Sequence, residues 1–577
     1  MLGLCASPEV RTETMIPLQA SDPDDGYRYR VQNPVNLNLL EHIASMDPLV
    51  SDKGNAESSS RGGGPHTHPR WSTWPSGQQR LIWHVPCWLT DASVAREAKH
   101  EVKVVASVLS SYDPGAFYCE MLGSAANQPV LDRLASLSMQ ALKRRAAAAE
   151  AELYNLGITF TVYSEKDTID RILPFDVIPR IIAADEWSHI ERGLIQRITA
   201  INLLLNDLYH GQHILDDGVL PRDLVLGNPQ YRPLMQGVDL PHGTYVHVCG
   251  TDLVRGADGG FLVLEDNARV PSGVSYVIEN RRLMQRAFPD LLDQIGLRPV
   301  EDYGPQLAAA MRQVAPAGVA SPGVVLLSPG IYNSAFFEHV FLAREMGVPL
   351  VEGSDLVVHD DRVWMRTTGG LAPVDVIYRR INDDYLDPEA FHRNSMLGVP
   401  GLMRAYRAGK VTLANAVGTG VADDKAVYAY MPRIIRYYLG EDPVLPNVET
   451  HVCREPDALR YTLDHLDQLV VKPVGEAGGY GITIGPQASR AELAVCRTKL
   501  LADPANYISQ PCIALSVAPT LVDGAVEPRH VDLRPFAITG AKTWVLPGGL
   551  TRVALGRGTL VVNSSQGGGS KDTWVLE

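Results

Sequence analysis

Glu265-Asp266-Asn267 closes an apolar run, Phe261 to Leu264, and Asp252 stands thirteen residues earlier at the end of the run before it. Strand alternation puts Glu265 and Asn267 on one face, the face of Val263, so that a carboxylate and an amide oxygen project together. Hard oxygen donors of this kind suit Mg²⁺, which keeps waters and nucleotide phosphates as its other ligands. An acidic turn on a sheet edge has the same local sequence. The second group is "LVVKPVGEAGGYGI", where Lys472 follows apolar strand residues and precedes Gly475, Gly478, Gly479 and Gly481. Glycines tolerate the positive φ that lets backbone N–H groups converge on phosphate oxygens, and Lys472 would add a point charge. A lysine snorkelling beside a hairpin is the plainer alternative. The third group is His530-Val531-Asp532-Leu533-Arg534 with Arg552 and the run Asn563 to Lys571. Arginines there could clamp a phosphoryl group, or form a surface ion pair beside a tail.

Several elements must position these groups. Apolar Leu194, Ile198, Ile201, Leu205 and Leu208 recur at helical spacing over 188–209, with Ser188 and Glu191 spaced as a capping box and Gly211 as a stop. Strands are expected at 243–248 and 261–266, around a Gly-rich turn. From 323 the chain alternates: a buried strand "GVVLLS", a helix over 334–346, then strands "VPLVEG" and "VDVIYRR", the pattern of a small parallel α/β domain. A short helix over 432–439 has Pro432 first and Gly440 after it, and β-rich segments run from there to 577. Residues 1–105 lack periodicity and read as an irregular extension. The divisions expected are 1–105, 106–300, 301–410 and 411–577.

Composition narrows the function classes. With 577 residues and 45% of them hydrophobic, the chain can bury a large core. A formal net charge of −14 with no basic block argues against a nucleic-acid partner and leaves small-molecule chemistry. Seven dispersed cysteines without CxxC argue against a disulfide framework and a zinc ribbon. No run of 18 apolar residues and no secretory leader are present, so the expectation is a cytoplasmic protein away from membranes. GxxxxGK[ST], a strand-to-helix GxGxxG, DFG, GxSxG and HExxH are all missing. His66 and His68 lie in the unpatterned extension and are not taken as metal ligands.

Taken together, the motifs over 110–577 resemble the ATP-grasp superfamily, in particular its circularly permuted members related to the synthetase domain of glutathionylspermidine synthase. "VLEDNARVPSGVSYVIENR" is similar to that family's own stretch, and the metal strand precedes the lysine strand, the reverse of most ATP-grasp enzymes. The resemblance implies an α/β (α+β) ATP-grasp fold with a small parallel α/β domain inserted. It implies Mg²⁺ on Asp252, Glu265 and Asn267, and ATP on Lys425, Lys472, Gly475, Gly478, Gly479, Gly481, Gln510, Cys512 and Ile513. The family pattern has an arginine two residues before the metal aspartate, where this chain has Gly250; Arg269 or Arg534 is expected to take its place. The implied reaction is ATP-dependent amide formation through an acyl phosphate, with Lys472, Arg534 and Arg269 catalytic. Ser272 and the pairs Arg281/Arg282 and Arg379/Arg380 are candidates for the substrate pocket. Substrates would be small-molecule or peptide carboxylates and amines; a homo-oligomer is compatible with this reading. A carboxylate kinase or ATPase without amine transfer, and a non-catalytic ATP-binding scaffold, are the rival classes.

Overall fold

Local chemistry explains where the elements begin. The structure is a computed structural model and describes residues 108–577 apart from 110–111, 123, 164–167, 293–294, 476–480, 561 and 563–567. The extension expected over 1–105, Gly478, Gly479 and most of the Asn563–Gly569 run therefore lie outside the described residues. Strand β1 (Phe175–Ile182) leads into helix α1 (Ala184–Leu208). This helix starts four residues before the expected Ser188. The Ala183 backbone N–H donates to Glu186, and Ser188 Oγ turns back to the Ala184 carbonyl at 2.7 Å, so Glu186 is the capping acid and Ser188 an interior residue. The face predicted from periodicity is buried, from Leu194 to Leu208.

After α1, β2 (Val248–Arg255) and β3 (Phe261–Asn267) form an antiparallel hairpin, and helix α2 (Val274–Ala287) comes next. The strand expected over 243–248 begins only at Val248. The N–H groups of Tyr245 and Val246 donate to Asn202 Oδ1, and those of His247 and Val248 to Asn415 Oδ1, so side-chain acceptors replace a strand partner there. Asp252 consequently lies within a strand and not at its end.

The inserted α/β unit contains β4 (Val324–Leu327), α3 (Phe336–Met346), β5 (Leu350–Val351), β6 (Val376–Arg379) and β7 (Thr412–Ala414). Its strands form a parallel sheet in the order β7-β6-β4-β5. Helices α4 (Lys425–Ala429) and α5 (Met431–Leu439) then lead to a second small sheet. Its strands are β8 (His451–Val452), β9 (Leu469–Pro473), β10 (Thr483–Ile484) and β11 (Tyr507–Pro511), in the order β8-β11-β9-β10. The chain ends with β12 (Val517–Val522), β13 (Ala525–Thr539), β14 (Thr543–Val553) and β15 (Gly569–Val575). These join the earlier strands in one sheet ordered β1-β15-β14-β13-β2-β3, with β12 also paired to β13. The hairpin carrying Asp252 and Glu265 is thus completed by the last strands of the chain.

Two connections link the small sheet to the large one. Residues 446–448 run beside β3, where Val263 N–H donates to the Pro446 carbonyl and Val448 N–H to the Val263 carbonyl, and the chain continues into β8. The return, 512–516, leads from β11 into β12. Beneath the hairpin, Asp266 points at α1, where Arg197 Nε donates to both carboxylate oxygens at 2.8 Å with both side chains almost fully buried. Removing one member leaves an uncompensated buried charge. Arg197→Met should therefore cost about 3–5 kcal/mol in equilibrium urea unfolding, and Asp266→Leu added to it should recover most of that loss; a loss below about 1 kcal/mol would contradict the pairing.

Candidate functional site

A β-bulge shapes β3. In the β2/β3 ladder Asp252 opposes Glu265 while Leu253 opposes Val263, so Leu264 is an extra residue on β3. A bulge breaks alternation and re-aims the residues beyond it. Val263 and Asp266 both face the α1 core, whereas Glu265 and Asn267 share the opposite, partly open face. The expectation that they project with Val263 is corrected by that one residue. Glu265 keeps 29% of its side chain exposed, and the Asn267 amide nitrogen donates to the Gly250 carbonyl at 3.1 Å, leaving the amide oxygen out of that bond.

Across the same face runs a row of charges contributed by adjacent strands. Asp252 accepts from Arg534 Nε at 2.5 Å and Nη2 at 2.8 Å, and from Arg552 Nη2 at 2.7 Å. Arg552 is itself held by Asp532, whose two oxygens accept from Arg552 Nε at 2.9 and 3.0 Å. Burial acts to raise the Asp252 carboxyl, but the Arg534 and Arg552 guanidiniums override it and hold it below the ordinary carboxylate range. Arg552, in sequence only one member of a group of possible phosphoryl clamps, is instead committed to carboxylates; Asp532 lies opposite it on β13, a pairing that only strand register reveals.

The lysines arrive from two other elements. The Asp424 side chain caps α4 by accepting from the Ala426 and Val427 N–H groups, and this places Lys425 Nζ 3.6 Å from Glu265 Oε2. Lys472 lies on β9, 9% exposed, and is in no salt bridge among the described residues. Burial pushes its pKa down to about 8, with Lys425 adding to the fall and Glu265 and Asp252 opposing it. The groups that perturb Lys472 therefore come from β2, β3 and α4. Gly475 is exposed beyond it, and Gly481 has φ +71° with Pro473 where a Cβ would stand. At the end of the small sheet Gln510 Nε2 donates to Thr450 at 2.9 Å, while its buried Oε1 has no hydrogen-bond partner among the described residues. Half-buried Ile513 packs with Leu262, Leu264 and Val448, and Cys512 is half-buried beside it.

Other expectations are corrected. Arg269 is bound to Asp423, with Nε 2.5 Å from Oδ2, and its backbone N–H donates to the same carboxylate. It ties the end of β3 to the turn before Lys425. Arg534, by contrast, fills the space above Gly250, where a Cβ would come 3.3 Å from Arg534 Cδ. Of the two arginines expected to stand in for one at 250, the geometry favours Arg534. Ser272 presents its carbonyl to Arg534 Nη1 at 3.3 Å.

The four arginines expected to anchor a substrate are committed elsewhere. Arg281 pairs with buried Asp572, and Arg282 with Glu279 and Glu345. Arg379 donates to the carbonyls of Ile381, Asn415 and Ala416. Arg380 binds Glu338 and the Pro271 carbonyl. Arg281, Arg379 and Arg380 are buried and satisfy buried acceptors, while Arg282 is partly exposed in its ion pairs. Lys571, from the Gly-rich C-terminal run, is likewise buried against Asp176.

The donor sets fit two groups. Glu265 and Asn267 offer oxygens on one face to a divalent cation that completes its shell with water and phosphate. Asp252 stands across from them with about four lone-pair positions on its carboxylate, of which three accept from arginine. Buried Lys472 with Lys425, the bare Gln510 Oε1 and the apolar patch around Ile513 suit a nucleotide: charge for phosphates, polar and apolar surface for a base.

The family model described as circularly permuted ATP-grasp type 2 matches residues 179–554. An uncharacterized protein of Synechocystis sp. is 53% identical over 81% of this chain and 99% of its own. One from Mycobacterium tuberculosis is 52% identical over 77% of this chain and 80% of its own. A Frankia alni protein named "Putative glutamate--cysteine ligase 2-3" is 46% identical over 77% of this chain, but this chain spans only 52% of it. Among solved structures, a glutathione synthetase-like effector from Globodera pallida in its apo form aligns over 76% of this chain and 98% of its own, with 11% identity and a TM-score of 0.49.

Proposed function

The chain belongs to the circularly permuted ATP-grasp type 2 family, and from that premise we propose that it is an ATP-dependent ligase joining a carboxylate to an amine through an acyl phosphate. The observation that carries the reading is the meeting of Lys472 and Lys425, from two later elements, with the outward face of Glu265 on the bulged strand. The Frankia name points to the same reaction class for that longer protein.

Glu265, Asn267 and Asp252 hold Mg²⁺ in this reading, and the cation, when bound, neutralises phosphate charge. Lys472 and Lys425 are the fixed charges on the nucleotide phosphates, with Gly475 and Gly481 at the phosphate loop and Gln510, Cys512 and Ile513 around the base. A carboxylate oxygen of the acid forms a bond to the γ-phosphorus as the bond from that phosphorus to the β,γ-bridging oxygen breaks, releasing ADP. The amine nitrogen then attacks the acyl carbon; the C–O bond to phosphate breaks, inorganic phosphate leaves and the nitrogen loses a proton. Arg534, beside the Ser272 carbonyl, steadies the anionic oxygens of both steps. No side-chain nucleophile takes part. Arg269 serves by holding Asp423 and through it the start of α4.

The test is ADP release from ATP and Mg²⁺ with fractions of a small-molecule extract, with hydroxylamine present in a parallel reaction. The expected result is ADP release stimulated by an acid-containing fraction, a hydroxamate in the hydroxylamine reaction, and an amide when an amine fraction is added. Release of ADP and phosphate with no amide under any amine fraction would favour the kinase or ATPase class. Nucleotide binding without ADP release in any fraction would overturn the enzymatic reading.

A further inference from the structure

Asp252 is claimed from two sides by groups that differ in how firmly they are held. Arg552 is almost fully buried, and its Nε is fixed by both oxygens of Asp532. Arg534 is 13% exposed, and besides Asp252 it bonds to the Ser272 carbonyl at 3.3 Å. Asp252 is also the direct cross-strand neighbour of Glu265 on the face where the cation donors project. A cation drawn to Glu265 and Asn267 therefore competes with Arg534 for the same carboxylate oxygens, while Arg552 keeps that carboxylate in place.

Resting on the proposed ATP-dependent reaction, we infer that Arg534 is a latch: it occupies Asp252 until the metal–nucleotide arrives, and only then is its guanidinium released to the acid substrate. Arg552 is the positioning residue that stops Asp252 from swinging away with it. The arrangement imposes an order, nucleotide before acid, because the anion-binding fork is neutralised by Asp252 beforehand. The space over Gly250 gives the Arg534 stem room for this exchange, since a Cβ at that position would crowd its Cδ.

The experiment is Mn²⁺ binding in the presence of ADP, read by electron paramagnetic resonance, on the unmutated full chain and on Arg534→Lys. Lysine keeps the charge but lacks the fork that bonds a carboxylate bidentately. Freed from that competition, Asp252 should raise Mn²⁺ affinity roughly 3- to 10-fold in Arg534→Lys, while substrate-stimulated ADP release falls. A purely structural role for the pair predicts unchanged or weaker Mn²⁺ binding, and that result overturns the latch. If Arg534→Lys does not fold, the unmutated protein decides: arginine modification by phenylglyoxal, mapped by mass spectrometry, should quicken at Arg534 when Mn²⁺ and ADP are added and stay absent at Arg552. Equal reactivity of Arg534 with and without them overturns the inference. Failure of the unmutated protein to bind Mn²⁺ and ADP at all would overturn the nucleotide reading as well.

Discussion

Glu265→Gln is expected to lower ADP release on the order of 10³-fold, since losing one carboxylate ligand removes several kcal/mol of charge stabilisation at the transferring phosphoryl group. The substitution keeps the shape of the side chain and its place after the bulge, so the fold should hold. It also takes away a carboxylate beside Lys425 Nζ, one that offsets the mutual repulsion of Lys425 and Lys472. Nucleotide affinity measured without metal should change little or rise slightly, because a negative charge beside the phosphates has gone. Measured together, turnover and metal-free ADP affinity separate a ligand of the cation from a residue that merely packs. Turnover within tenfold of the unmutated protein would remove Glu265 from the site and the proposed reaction with it.

Lys472→Ala should act mainly on nucleotide binding, weakening ATP roughly 10- to 100-fold, the loss of a charge-assisted contact worth about 1.5–3 kcal/mol. The pH dependence carries more information than the magnitude. In the nucleotide-free protein Lys472 titrates near 8, below its ordinary 10.5, because burial disfavours the ammonium. ATP needs the charged form, so affinity in the unmutated protein should fall as pH rises above about 8 and the Ala variant should lack that fall. Stability runs the other way. Between about 8 and 10.5 the unfolded chain binds the proton that the folded chain has released, so unfolding free energy rises with pH through that window. Lys472→Ala should flatten both slopes; isothermal titration at pH 7 and 9, with urea unfolding over pH 7–10, checks each.

What could be read from the sequence was local. Glu265 and Asn267 two residues apart, Lys472 after an apolar strand, and the Pro432-to-Gly440 helix all state their structure within a few residues. The alternation from 323 likewise became the parallel sheet. What could not be read depends on partners distant in sequence. The bulge at Leu264 shows only in the register with β2. Tyr245 and His247 look like strand residues until Asn202 and Asn415 take their N–H groups. Paired arginines such as Arg379-Arg380 resemble anion anchors in sequence, and only three-dimensional packing reveals the carbonyls and Glu338 that occupy them. The role of Arg552 was hidden for the same reason: Asp532 and Asp252 reach it across strands.

The order of strands in the large sheet has a consequence for the protein as it is made. Asp252 leaves the ribosome 300 residues before Arg552, which at about 5–20 residues per second is a wait of roughly 15–60 s. Through that interval the β2/β3 hairpin has no β13 beside it, and its edge is open to pairing with other chains. A nascent chain of this protein would thus expose that edge to chaperones, and Asp252 would gain Arg534 and Arg552 only as β13 and β14 emerge.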